Sequence, residues 1–257
     1  MRRVVVLRAA TAAVAGVAAC AALWRRPFRG GVPGTLPGGV GSGINSLLNG
    51  PLYRRMAATL ELQPEDELLD VACGEGAFLA EHASRVRRVA GLDLSEVKVG
   101  LAQRRFADRI AAGTAEVVKG DAGALPWEDA RFSAVTSMDA FTLFPDPERV
   151  LSDMCRVLRP GGRAAMQIGW RVAEETATHK IFGTFWVWNE AEVRRMMEAA
   201  GFDDVSISYG RIGDSRFYNL LGRLLMGTDE IRIVAAVKPM PVRPADDARA
   251  DEAVAVG

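Results

Sequence analysis

Short apolar runs alternate along the chain with longer stretches in which apolar residues recur at helical spacing. Leu68, Leu69 and Val71 suit a strand buried on both faces. Phe78, Leu79, His82, Ala83 and Val86 follow at helical spacing. Val89 to Leu92 forms a second apolar run, and Val97, Leu101 and Arg105 predict the next helix. The third strand runs over 115–122, ending in Gly120-Asp121-Ala122, and the fourth over 132–138. Asp146 caps a helix that Pro147 opens, with Val150, Leu151, Met154, Val157 and Leu158 on one face. Pro160, Gly161 and Gly162 close it and turn the chain into a fifth strand, 164–168. Asn189 and Glu192 cap a last helix (Val193, Met196, Met197, Ala200) that ends at Gly201, and 205–209 and 231–237 are the final strands. Ahead of all this, 46–60 is helical in pattern but interrupted at Gly50-Pro51. Strand alternating with helix predicts an α/β doubly wound sheet.

The pivot is the loop after the first strand, Asp70-Val-Ala72-Cys73-Gly74-Glu-Gly76. Its glycines let the backbone turn sharply and lie against a ligand with no Cβ in the way. A dinucleotide fingerprint would need a third glycine, and Leu79 stands there. Asp70 is badly placed for a pyrophosphate but suits a cationic ligand that carries an amino-acid group. An ordinary glycine-containing turn is the plain alternative for the loop alone.

Six ordered features between about Pro51 and Val237 resemble the class I S-adenosylmethionine (SAM) methyltransferases, above all the small-molecule enzymes of the ubiquinone/menaquinone-biosynthesis and secondary-metabolite type. They are the loop from Asp70 to Gly76, Asp93, Asp121, the Leu125-Pro126-Trp127 turn, Arg156 to Gly162, and the terminal pair of strands. The family loop reads D-x-G-x-G-x-G. Alanine replaces its first glycine here, a mild departure provided residue 72 keeps φ below zero. The resemblance implies a seven-stranded, mostly parallel sheet of order 3-2-1-4-5-7-6, the last strand antiparallel. It implies SAM as cofactor, held by Asp70, Ala72, Cys73, Gly74 and Gly76, by Asp93 at the ribose hydroxyls with Leu94 beside it, by Asp121 and Ala122 at the adenine, and by Ser137. Asp93 or Ser95 capping the following helix is an alternative role. Ser133 stands where the family has an acid, which leaves that acid's local hydrogen bonds without an obvious source.

With 257 residues, 49% hydrophobic and 25% charged, the chain has room for one globular domain and appendages. Net charge is zero but uneven: residues 1–29 carry arginines and no acid, which leaves the middle mildly acidic. That gives no footprint for nucleic acid. Cys20, Cys73 and Cys155 offer neither a metal pattern nor a disulfide framework, so no metal is expected and a reduced compartment is implied. Residues 1–29 form a basic, alanine-rich leader. Its uncharged run is shorter than the roughly 20 residues a spanning helix needs, so membrane contact through 4–24 and a floppy leader are both open. Export would part a SAM enzyme from its cofactor, so the expected location is the cytoplasm, free or tethered to the membrane's cytoplasmic face. A Gly/Pro linker (30–43), a folded domain (44–239) and a disordered acidic tail (240–257) complete the expected division.

A methyl acceptor that must lose a proton needs a base. Asp139, just after the fourth strand, and His179, whose ordinary pKa suits the task, are the candidates; His82 reads as a packing residue. Tyr53 and Trp186 are candidates for the acceptor side, Trp186 within an aromatic-rich segment, 170–188, that would lid a pocket or be pinned to the surface as a loop. An apolar stretch, 217–226, reads as a second lid element or as a surface for a partner or a membrane. The sequence therefore predicts methyl transfer from SAM to a small, apolar or aromatic acceptor. The alternatives are a nicotinamide-dependent oxidoreductase and a non-catalytic SAM-binding or membrane-tethered protein of the same fold.

Overall fold

The computed structural model describes residues 40–170, 179–181, 185–211 and 230–241. Two compact units divide the chain, 1–43 and 44–257, and the account below concerns the second. Its strands are β1 (Glu67–Val71), β2 (Arg88–Asp93), β3 (Ala115–Lys119), β4 (Phe132–Ser137), β5 (Leu158–Trp170), β6 (His179–Ile181), β7 (Phe185–Val187), β8 (Asp203–Arg211) and β9 (Glu230–Val237). Its helices are α1 (Val40–Thr59), α2 (Ala77–His82), α3 (Glu96–Arg105), α4 (Ala107–Ala111), α5 (Pro147–Val157) and α6 (Glu190–Ala199). Seven strands form one sheet in the order β3-β2-β1-β4-β5-β9-β8. β1 to β5 run parallel, and β9 is antiparallel to both β5 and β8. This is the expected order, with β8 and β9 as its last two strands.

Each face of the sheet has its own core. Leu69, Val71, Val135, Met166 and Ile168 pack with α5 and α6 on one side, through Leu151, Met154, Val193 and Met196. Leu68, Val89, Ala134 and Ile233 pack on the other with α1, α2 and α3. Every residue of β1 is buried, as a central strand covered on both faces requires.

Two elements differ from the sequence expectation. α1 is continuous through Gly50-Pro51, with Pro51 inside the helix. Leu52, Tyr53, Met56, Ala57 and Leu60 form one buried face, and that burial outweighs the backbone bond a proline removes. β5 starts at Leu158 rather than 164. Leu158 pairs with Phe132 and Arg163 with Ala134, so 159–162 bulge out of register. Gly161, at φ +73°, permits that bulge, and its N–H donates to the Lys238 carbonyl at 2.8 Å.

Ser133 resolves the missing acid. Its hydroxyl accepts from the Glu67 N–H at 3.0 Å and donates to Asp66 at 2.6 Å, and Arg163 closes the network on Asp66 at 2.6 Å. The carboxylate is supplied by Asp66, from the turn before β1.

Candidate functional site

The loop between β1 and α2 alternates left-handed residues: Ala72 at φ +64°, Gly74 at +57° and Gly76 at +71°. Ala72 therefore does not keep φ below zero, and the alanine-for-glycine exchange costs strain. The left-handed region brings an L-residue's Cβ too close to the following carbonyl, a penalty of roughly 1–2 kcal/mol. The two glycines serve different ends. A Cβ on Gly76 would lie 2.7 Å from the Phe106 ring, so that glycine lets α3 pack under the loop. A Cβ on Gly74 would meet nothing within 4 Å, so the loop faces open space there.

Asp93, at the end of β2, fixes this conformation. Its Oδ2 accepts from the Gly74 N–H at 2.8 Å and its Oδ1 from the Ser95 N–H at 2.9 Å. Ser95 itself caps α3 by accepting from the Lys98 N–H at 3.5 Å. The capping role expected for one of the two thus belongs to Ser95, while Asp93 ties two loops together. Leu94 next to it is 73% exposed, an apolar surface with nothing over it.

Asp70 is the anomaly. It is 2% exposed, and its Oδ1 has no hydrogen-bond partner. Burial first, and then the Asp93 charge, push its carboxyl well above the usual carboxylate range. Burial first, and then the Asp70 and Asp93 charges, likewise raise the pKa of the buried Cys73 thiol. Asp121, in the connection after β3, is exposed; its Oδ1 accepts from the Gly123 N–H at 2.9 Å, a turn that presents the neighbouring Ala122. Ser137 ends β4 and is fully buried, its hydroxyl unpartnered like that of Thr136.

Past β4, Asp139 also adopts a left-handed backbone, φ +54°. Its N–H donates to Gln167 Oε1 at 2.8 Å, so β5 holds the turn in place. The residue is exposed by area but crowded by protein around it. That crowding raises its carboxyl pKa, and Gln167 offsets part of the rise.

The acceptor-side candidates fall in two places. Tyr53 is 6% exposed on α1, edge-on to Phe78 with ring centroids 5.8 Å apart. Trp186 is half-buried in β7 and stacks on Trp188, centroids 4.9 Å apart. The aromatic segment, expected as a lid or a pinned loop, contains a hairpin in which β6 pairs antiparallel with β7, His179 opposite Val187. β7 lies against the turn Phe141–Leu143 that follows Asp139. The His179 side chain, residues 171–178 and the apolar stretch 217–226 lie outside the described residues, as do 1–39 and 242–257.

His82 is 1% exposed and packs on Phe78 at 4.9 Å, with its pKa lowered by burial and then by Arg85. It is a core residue. Two residues at this end of the sheet escaped the sequence reading. Gln167 is 4% exposed and positions Asp139; its one signal was a lone amide in an apolar strand. Arg232, a lone charge between isoleucines in β9, is 2% exposed. Among the described residues no group of acids, histidines and cysteines could hold a metal ion, and no helix is long and apolar enough to cross a membrane.

Residues 69–166 match a family model described as a methyltransferase domain. Over 119 residues the chain is 35% identical to nocamycin O-methyltransferase of Saccharothrix syringae, covering 45% of this chain and 42% of that protein. Over 129 residues it is 37% identical to the ubiquinone/menaquinone biosynthesis C-methyltransferase of Methylobacterium nodulans, covering 47% and 51%. The matches thus span about half or less of these relatives' length. Among solved structures, a geranyl diphosphate methyltransferase in complex with SAM superposes with a TM-score of 0.63 at 18% identity, over 79% of this chain and 92% of that one. Motif order and strand order agree with these matches: residues 69–166 match a methyltransferase domain, set in a sheet with the strand order of the Rossmann-like methyltransferase fold.

Proposed function

We propose that the protein transfers the methyl group of SAM to a small apolar or aromatic acceptor. The observation that carries this reading is the cradle formed by Asp70, Gly74 and Asp93. A buried carboxylate with an orphaned oxygen fits the cofactor's ammonium group, and the open space over Gly74 fits a ligand laid against the backbone. Asp93 has its loop side occupied by two amides, and each of its oxygens keeps a lone pair for a ribose hydroxyl. Leu94 would lie against the adenine, whose edge would meet Asp121 and the Ala122 N–H. The names of the relatives support a small-molecule acceptor.

When bound, SAM supplies an electrophilic methyl on a sulfonium centre. What this chain adds is alignment and exclusion of water. Asp139, held by Gln167, is the proton acceptor for an acceptor hydroxyl or acidic carbon, with His179 the second candidate. Trp186 supplies apolar surface on the acceptor side. Tyr53, packed edge-on against Phe78, serves chiefly to hold α1 over the site. In this reading the leader tethers the protein to the cytoplasmic face of a membrane, which fractionation of the full chain against one starting at Gly43 tests.

The function is tested by incubating the protein with methyl-labelled SAM and a panel of phenols, quinols and aromatic acids. Transfer to at least one is expected, with turnover reduced in Asp139→Asn at saturating SAM. Tight SAM binding with no transfer to any of them would favour the non-catalytic reading.

A further inference from the structure

Arg232 stands in β9 between Ile231 and Ile233, both fully buried, and is itself 2% exposed. Its Nε and Nη1 have no hydrogen-bond partner. A guanidinium cannot escape burial by losing its proton as a lysine can. Burial does press its pKa down, and the Glu190 charge offsets that only from beyond ion-pair distance. A buried charge with two of its donor nitrogens unmet is costly to a fold, and a partner that arrives later relieves it.

The position of Arg232 suggests what arrives. Alternation along β9 puts it on the face of Val234 and Ala236, which pack in the core that also holds Ile168, Phe141 and Trp188. Its strand neighbours are in register with the end of β5: Ile231 opposite Trp170, and Ile233 opposite Gln167. Gln167 is the residue that holds Asp139. Trp188, stacked beneath Trp186, has a buried Nε1–H that also lacks a partner. Two unpaired donor side chains therefore share one face at the acceptor end of the sheet, beside the aromatic hairpin.

We infer that Arg232, assisted by the Trp188 indole N–H, anchors a carboxylate on the methyl acceptor, so that the substrate is an aromatic or apolar carboxylic acid. A guanidinium fork matches two carboxylate oxygens, and the stacked tryptophans supply the apolar surface for the rest of such a molecule. A monoanion is favoured over a phosphate dianion because the Glu190 charge, in the first turn of α6, already acts on Arg232. The inference rests on the methyltransferase reading, which places the acceptor at this end of the sheet.

The test uses the full chain, pre-bound to S-adenosylhomocysteine, titrated in a calorimeter with benzoate, with benzamide as neutral isostere and with inorganic phosphate. Benzoate is expected to bind, with benzamide and phosphate weaker by about tenfold or more, the worth of a charge-assisted hydrogen bond. Arg232→Met should lose benzoate binding by a similar factor and keep its affinity for S-adenosylhomocysteine. Where the methionine variant does not fold, Arg232→Lys, which loses the fork and can shed its proton when buried, should also weaken benzoate binding. Equal binding of benzoate and benzamide, preference for phosphate, no benzoate binding, or unchanged benzoate binding in the variants would each overturn the assignment. Failure of the wild-type protein to bind S-adenosylhomocysteine would instead overturn the methyltransferase reading beneath it.

Discussion

Replacing Asp70 by Asn separates what this residue costs the fold from what it contributes to binding. The side chains are nearly isosteric, so the packing of β1 survives. Asp70 is 2% exposed, lacks a partner at Oδ1, and faces the Asp93 charge as well as burial. Burying an unpaired polar group costs about 1–3 kcal/mol in protein mutational data. Asparagine keeps the polarity but removes the charge, so the ligand-free protein should gain on the order of 1 kcal/mol. Binding should move the other way. A charge-assisted hydrogen bond contributes about 1.5–3 kcal/mol, so affinity for S-adenosylhomocysteine should fall roughly ten- to a hundredfold.

The pH dependence follows from the direction of the shift. A carboxyl whose pKa is raised in the folded state binds its proton more tightly there than in the unfolded chain. As pH rises above the ordinary value of 3.8 the unfolded chain ionises first, and the wild type loses stability. The advantage of asparagine should therefore be absent in acid and grow from about pH 4 upward. Urea unfolding without ligand at several pH values, with calorimetry for the cofactor product, measures both effects. A variant that is less stable without ligand yet binds S-adenosylhomocysteine as tightly as the wild type would refute the reasoning, because the carboxylate would then be paired within the fold.

Asp93→Ala removes the acceptor for the Gly74 and Ser95 amides together with the ribose contact, so affinity should fall at least roughly tenfold; unchanged affinity in calorimetry would contradict the assignment. Ala72→Gly relieves the left-handed strain of roughly 1–2 kcal/mol against about 0.5–1 kcal/mol of added chain entropy. The melting temperature should rise by a few degrees at most, and a clear fall would count against the loop conformation. His82 has a pKa lowered from 6.5 in the fold, so below that pH the unfolded chain takes up a proton the folded one resists, and stability falls as the solution is acidified. His82→Leu should flatten that part of the stability–pH curve, and an unchanged slope would show that another group is responsible.

The sheet was legible because buried parallel strands write themselves as apolar runs. Leu68 to Val71 and Val89 to Leu92 need no partner to be recognised, and Asp70 and Asp93 at their ends mark where the ligand edge begins. What depends on the rest of the fold was not legible. Pro51 reads as a helix break until the buried face of α1 is known. The φ of Ala72 is imposed by bonds from Asp93 and Leu92 on the next strand, which hold the Gly74 and Cys73 amides. The pairing of β6 with β7 leaves no periodicity in strands this short. Nothing in the sequence around Arg232 marks it as covered; its 2% exposure appears only in the folded sheet.

Four carboxylates tied to the two central strands are buried, and their environments differ along the strands. Asp66 and Glu67, at the start of β1, meet Arg163, Arg87 and Arg159. Asp93, at the end of β2, is occupied by backbone amides. Asp70, near the end of β1, alone among them keeps a buried oxygen without a partner. The difference is not one of composition, since three residues separate Glu67 from Asp70. It follows the direction of the sheet. At the edge where the strands begin, each acid has a guanidinium within reach, and that edge contributes stability. At the edge where they end, the chain holds the unpartnered Oδ1 of Asp70, the strained backbones of Ala72 and Asp139, and the unpartnered Nε and Nη1 of Arg232. Outliers of this kind persist only where the surrounding structure over-determines them. A ligand that satisfies them stabilises the fold by mass action, about 2.7 kcal/mol at a hundred times its dissociation constant. A cation beside Asp70 and an anion beside Arg232 would satisfy those buried atoms, as the proposed SAM and carboxylate acceptor would.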